Sequence, residues 1–140
     1  MIFKVGSIED LNEVTSTLKE KLNDYKIVCL NGDLGAGKTT LVKELAKALD
    51  IIDTVSSPTF SIINEYEDLR HDPVFHFDFY RLKDEEEALD IGLEEYLYSG
   101  NVCLIEWANM FPGLIPSKHL EININLVDEM NREITLVEHG

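Results

Sequence analysis

Basic residues are scarce in this chain. Its 140 residues include 12 Lys and Arg against 27 Asp and Glu, for a formal net charge of −15. Phosphate backbones are gripped by clustered Lys and Arg, so strong independent binding of nucleic acid is not expected. Arginine is rarest, at Arg70, Arg81 and Arg132 alone. Cysteine is confined to Cys29 and Cys103, each inside a short apolar run. That context fits two small buried hydrophobes in a reducing compartment, and no Cys/His spacing marks a metal cage. No apolar run approaches the roughly 20 residues a membrane span needs, so no membrane partner is expected. The first residues lack the basic segment and apolar run of a secretory signal. The expected location is the cytoplasm.

What is present is enough apolar material, 44% of the chain, for one sizeable core. The length suits a single domain over residues 1–140, with little room for a separate lid. Ser7-Ile8-Glu9-Asp10 resembles a capping box. Ile8, Leu11, Val14, Leu18 and Leu22 then recur at helical spacing. Ile27 to Leu30 is wholly apolar, as in a strand covered on both faces. Thr39 to Leu49 reads as a helix with Leu41, Val42, Leu45, Ala46 and Leu49 inward. Phe60 to Tyr66 and Val74 to Tyr80 read as a hairpin. In its second strand Phe75, Phe77 and Phe79 share one face, and His76, Asp78 and Tyr80 the other. Glu85 to Tyr98 reads as two short helices broken at Gly92. Val102 to Ile105 is another apolar strand. Glu121 to Val127 and Glu133 to Glu138 flank a turn at Asp128-Glu129-Met130-Asn131. The expected fold is α/β: a P-loop NTPase-like mixed sheet flanked by helices.

Between the first apolar strand and its helix lies Gly32-Asp33-Leu34-Gly35-Ala36-Gly37-Lys38-Thr39. This matches the phosphate-loop pattern, and the flanking strand and helix supply the context that pattern requires. Glycines let successive backbone N–H groups point at phosphate oxygens, and the helix start adds positive potential. Lys38 is expected to bridge the β- and γ-phosphates and the Thr39 hydroxyl to ligate Mg²⁺. Such a site also needs a carboxylate at the end of a neighbouring strand. Glu106, directly after Val-Cys-Leu-Ile, and Asp78, on the polar face of the Phe-alternating strand, both qualify.

Four motifs then occur in order. They are Asn31 to Thr40, Ser57-Pro58-Thr59-Phe60, His76-Phe77-Asp78-Phe79-Tyr80-Arg81-Leu82, and Glu106-Trp107 preceded by Gly92-Leu93-Glu94-Glu95-Tyr96-Leu97. The set resembles the TsaE (formerly YjeE) family, P-loop ATPases of the bacterial machinery that makes threonylcarbamoyladenosine in tRNA. The resemblance implies ATP and Mg²⁺ as cofactors. It makes Asp33, Gly35, Ala36, Gly37, Lys38, Thr39, Thr40 and Trp107 nucleotide contacts, and Thr39 and Glu106 the metal ligands. It implies a γ-phosphate-sensing role for Thr59, and places Asp78 near the metal or the attacking water. It implies docking or active-site support for Arg81, with Tyr80 beside it. It places the start of the first helix, near Ile8, against the adenine, whereas helical spacing makes Ile8 a core or staple residue. His76 reads as a satisfied structural histidine. One departure is Asn131-Arg132, where the family pattern has Gly-Arg; Asn also tolerates a left-handed turn.

The implied partners are TsaD, which transfers the threonylcarbamoyl group, and its companion TsaB. ATP hydrolysis would reset that complex between rounds. No arginine stands out as a finger, so hydrolysis is expected to be weak alone and stimulated by the partners. A small-molecule kinase would also use a P-loop, but it needs an acceptor pocket and usually an arginine-bearing lid. A GTPase-like switch needs a guanine reader such as Asn-Lys-x-Asp, and no such run occurs.

Overall fold

In the computed structural model, which describes residues 1–33, 37–52 and 62–140, β2 (Ile27–Gly32) is covered on both faces. Ile27, Val28, Cys29 and Leu30 are all buried. This is how a strand with no polar alternation must sit. It lies inside a seven-stranded sheet of order β1-β7-β6-β2-β5-β4-β3. The other strands are β1 (Ile2–Val5), β3 (Ile63–Glu67), β4 (Pro73–Asp78), β5 (Val102–Glu106), β6 (His119–Leu126) and β7 (Arg132–His139). β6, β2, β5 and β4 are mutually parallel. Antiparallel pairs add β7 and β1 at one side and β3 at the other. The mixed α/β sheet expected from the sequence is what forms.

Two apolar clusters sandwich the sheet. On one face α1 (Leu11–Lys21) and α2 (Lys38–Ala48) pack together over Val28, Leu30, Leu104, Leu120 and Ile122. On the other, α3 (Glu85–Asp90), α4 (Leu93–Leu97) and the turns after β5 cover Phe75, Phe77, Cys103 and Ile105. Phe77 and Phe79 are fully enclosed. Each such ring stabilises the fold by about 1.5–3 kcal/mol through burial. Gly92, at φ +76, separates α3 from α4 in the left-handed conformation that a side chain would strain. No helix among the described residues is long and apolar enough to cross a membrane.

Three local expectations need correction. The helix does not begin at Ile8. Residues 8–10 form a 3₁₀ turn, whose Asp10 carboxylate accepts the Gly6 and Ser7 N–H groups at 2.8 and 3.1 Å. Ile8 is left 60% exposed, so it is not a core residue. β4 ends at Asp78 rather than Tyr80. Asp78 Oδ1 accepts the Tyr80 N–H at 3.1 Å and turns Phe79–Arg81 into a 3₁₀ turn. A side-chain acceptor competing for backbone N–H groups ends a strand in this way. Phe79 still packs with Phe75 and Phe77, but Tyr80 is exposed. Finally, Asn131 has no positive φ. Its amide instead donates to both Asp128 carboxylate oxygens at 3.0 Å, closing the β6–β7 turn by side-chain contact. Those bonds hold the Asp128 carboxyl below its ordinary pKa.

Both cysteines are buried, and burial pushes each thiol up to about 12. The thiolate is the nucleophile, so neither should react in the folded protein. Treatment with Ellman's reagent at pH 8 is expected to release almost no chromophore until denaturant is added, when both thiols react. Rapid reaction of the native protein would contradict the buried placement.

Candidate active site

The parallel strands β2, β5 and β4 end together, and the candidate residues gather at that edge. In register, Leu30 pairs with Glu106 and Glu106 with Asp78. Glu106 therefore lies between β2 and β4. Alternation places Leu30, Leu104, Glu106, His76 and Asp78 on the sheet face that α2 covers. The crevice beyond the carboxyl ends of parallel strands, where neighbouring connections diverge, is the usual ligand position in such sheets.

Lys38 is the first residue of α2, directly after Gly37 at φ +108. It is only 6% exposed. Its Nζ donates to the Gly32 carbonyl oxygen and lies 3.7 Å from the centroid of the Trp107 ring. Such a cation over an indole face contributes about 0.5–2 kcal/mol. Burial lowers the Lys38 pKa, while Glu106, Asp78 and Asp33 oppose that shift. Thr39 and Thr40 follow in the first turn of α2, and Asp33 is exposed at the end of β2.

Trp107 adopts a left-handed backbone, φ 60 and ψ 33. For a bulky residue this costs on the order of 1–3 kcal/mol. Its N–H donates to Leu30 O at 3.2 Å, which ties the strained residue to β2. Tyr80 packs on the indole at 5.1 Å between ring centroids. Asp78 Oδ2 lies 3.4 Å from Arg81 Nε. Burial raises the Asp78 pKa; the Tyr80 N–H bond opposes this and the Glu106 charge adds to it.

Glu106 is 4% exposed and His76 fully buried, with His76 Nε2 at 2.7 Å from Glu106 Oε2. His76 is thus the satisfied histidine expected, but its partner is the central carboxylate of the site. Its position two residues before Asp78 on an alternating strand was the available signal. Gly35, Ala36 and Thr59, with Ser57 and Pro58, lie outside the described residues.

A cavity of about 230 Å³ adjoins Gly37 and Thr40. Val5, Ile8, Leu11, Ile124, Met130 and Ile134 give it apolar walls, and Glu129 and Arg132 are polar members. Ile8 therefore faces this cavity. The contribution of Met130 and Arg132 had no signal in the sequence, because the sheet order brings the β6–β7 turn to α1. Apolar walls with a few polar groups suit a planar heterocycle.

The site also fits a hard divalent cation. The Glu106 and Asp78 carboxylates and the Thr39 hydroxyl offer oxygen donors at one edge, the type that Mg²⁺ selects. The Lys38 ammonium, at a helix N-terminus beside them, fits phosphate.

The model of the family described as threonylcarbamoyl adenosine biosynthesis protein TsaE matches residues 5–134. The tRNA threonylcarbamoyladenosine biosynthesis protein TsaE of Bacillus subtilis (strain 168) is 46% identical over 114 residues, covering 81% of this chain and 70% of that protein. The protein of the same name from Rickettsia bellii (strain RML369-C) is 39% identical over 129 residues, covering 91% and 88%. The crystal structure of Bacillus subtilis YdiB superposes with a TM-score of 0.75 at 31% identity, covering 100% of this chain and 86% of that one. A family match over nearly the whole length, on a sheet that collects the motif residues at one edge, leaves a single assignment: the chain belongs to the TsaE family.

Proposed function

We propose that this protein binds and hydrolyses ATP as a subunit required for threonylcarbamoyladenosine modification of tRNA, and that it acts on the TsaB–TsaD complex to reset it between catalytic rounds. The observation that carries this reading is the convergence of Lys38, Glu106 and Asp78 at the start of α2. The names of the relatives supply the pathway.

The adenine would occupy the apolar cavity beside Ile8 and Met130, and the phosphates would lie along the loop from Asp33 to Thr40. Mg²⁺, held by the Thr39 hydroxyl and the Glu106 carboxylate, would offset negative charge on the β- and γ-phosphate oxygens. Lys38 would leave Gly32 O to meet those same oxygens. A water oxygen forms a bond to the γ-phosphorus as the bond from that phosphorus to the β–γ bridging oxygen breaks. ADP departs with the electron pair, and the water proton ends on phosphate or solvent. Asp78 would act beside the metal or on this water, and Thr59 would sense the γ-phosphate. Lys38 and the loop N–H groups stabilise charge that develops only in the transition state. Trp107 and Tyr80 would shield this side of the site from solvent.

The partners are inferred from the family and from charge. With 27 acids against 12 bases, the protein complements a basic partner face better than tRNA itself. Phosphate release from ATP and Mg²⁺ is expected to be slow for the protein alone and several-fold faster with purified TsaB–TsaD. Failure to associate with TsaB–TsaD, with and without ATP, would remove the partner assignment. Absence of hydrolysis in both settings would remove the ATPase itself.

A further inference from the structure

The sheet face that carries Glu106 also carries a line of polar side chains crossing three strands. Asn64 on β3 lies opposite His76 on β4, and His76 opposite Leu104 on β5. Residues offset by two on adjacent strands sit about 7–8 Å apart, within reach of long side chains. Two such diagonals close here. Tyr66 Oη lies 3.1 Å from His76 Nδ1, and His76 Nε2 lies 2.7 Å from Glu106 Oε2. Asn64 Nδ2 donates to the Tyr66 oxygen at 3.4 Å. Tyr66, His76 and Glu106 are all at most 4% exposed.

Donor and acceptor chemistry gives the line a direction. An ionised carboxylate only accepts, so the proton facing Glu106 sits on His76 Nε2. A neutral imidazole then has its lone pair at Nδ1, where the Tyr66 hydroxyl donates. Asn64, donating to the Tyr66 oxygen, turns that hydroxyl toward the ring. Along these three bonds the donors point one way, and the last bond is a charge-assisted one to Oε2. Packing alone does not call for this, because apolar side chains of similar volume in place of a buried polar pair are often neutral or stabilising.

We propose that His76 is a positioning residue that holds the Glu106 carboxylate in the orientation in which it takes a divalent cation, with Tyr66 and Asn64 fixing the imidazole tautomer. This rests on the reading of Glu106 as a metal-holding residue. Partners of this kind behind a metal ligand commonly change metal affinity by about 10–100-fold when removed.

The test is Mn²⁺ affinity of the full chain with ADP, followed by electron paramagnetic resonance, beside ADP affinity in EDTA. His76→Leu is expected to weaken Mn²⁺ binding by about 10–100-fold and to leave metal-free ADP binding within a few-fold. His76→Gln, which retains a donor at the Nε2 position, should recover most of the loss. Tyr66→Phe should weaken Mn²⁺ binding by several-fold, and carries the test alone should His76→Leu fail to fold. Mn²⁺ affinity unchanged in Tyr66→Phe and in folded His76→Leu, with Glu106→Gln weakened, overturns this inference only. Unchanged affinity in Glu106→Gln overturns the metal-site reading beneath it.

Discussion

If the protein hydrolyses ATP as proposed, Lys38→Ala is expected to lower phosphate release by about 10²–10³-fold or more. Lys38 is nearly buried at the head of α2, between the Gly32 carbonyl and the Trp107 ring. An ammonium held there would meet phosphate charge in a site that water reaches poorly, where its contribution would greatly exceed that of a surface lysine. Folding should be nearly indifferent to the change. Burial already lowers the Lys38 pKa, so the folded protein carries a desolvation cost that alanine removes. That gain offsets the lost packing on Trp107, and the melting temperature should move by only a few degrees. Phosphate-release assays and thermal unfolding on the same preparation check both halves. Retained hydrolysis by Lys38→Ala would place the phosphate site elsewhere.

The second large effect is expected at Glu106. Glu106→Gln keeps shape and an oxygen acceptor for His76 Nε2–H, so the buried contact survives as a neutral hydrogen bond. It removes the charge at the end of β5. Mg²⁺-dependent hydrolysis should fall by about 10²-fold or more. ADP binding in EDTA should hold or tighten, because a negative charge near the phosphates is gone. Glu106→Ala should lose the same activity and also about 1–3 kcal/mol of stability, since the buried His76 donor is then left without its acceptor. Denaturant unfolding of the two variants separates charge from packing. If Glu106→Gln hydrolyses ATP at the original rate, Glu106 does not act on the metal.

Much of this site was legible before the fold was known. The apolar runs Ile27–Leu30 and Val102–Ile105 announced strands covered on both faces, and Glu106 follows the second directly. That Glu106 and Asp78 lie side by side was not legible. It depends on β4 pairing in parallel with β5, a long-range choice that local pattern does not encode. The same holds for the cavity, whose Met130 and Ile8 come from distant segments. Ile8 misled because helical spacing continues through a 3₁₀ turn, whose different pitch rotates the first residue away from the core. Alternation with Asp78 puts His76 on the site's face, but its partner is a diagonal neighbour on another strand, which the spacing within one strand does not specify. The apolar alternation runs past the end of β4 because Asp78 turns the chain by its own side chain, which the pattern does not encode.

β1 pairs with β7, Ile2 against Thr135 and Val5 against Arg132. During translation, then, residues 2–5 wait for their partner until residues 132–135 have left the ribosome. At about 5–20 residues per second, that interval is on the order of 6–30 s. The cavity beside Gly37 and Thr40 takes Val5 from the first of these segments and Arg132 and Ile134 from the second, with Ile8 and Met130 just outside them. A nascent chain can therefore carry β2, α2 and β5, and with them the Lys38 edge, before this cavity is complete. On the function proposed above, competence to bind nucleotide would arrive late in synthesis, and a ribosome stalled before β7 would display the Lys38 edge without a complete cavity.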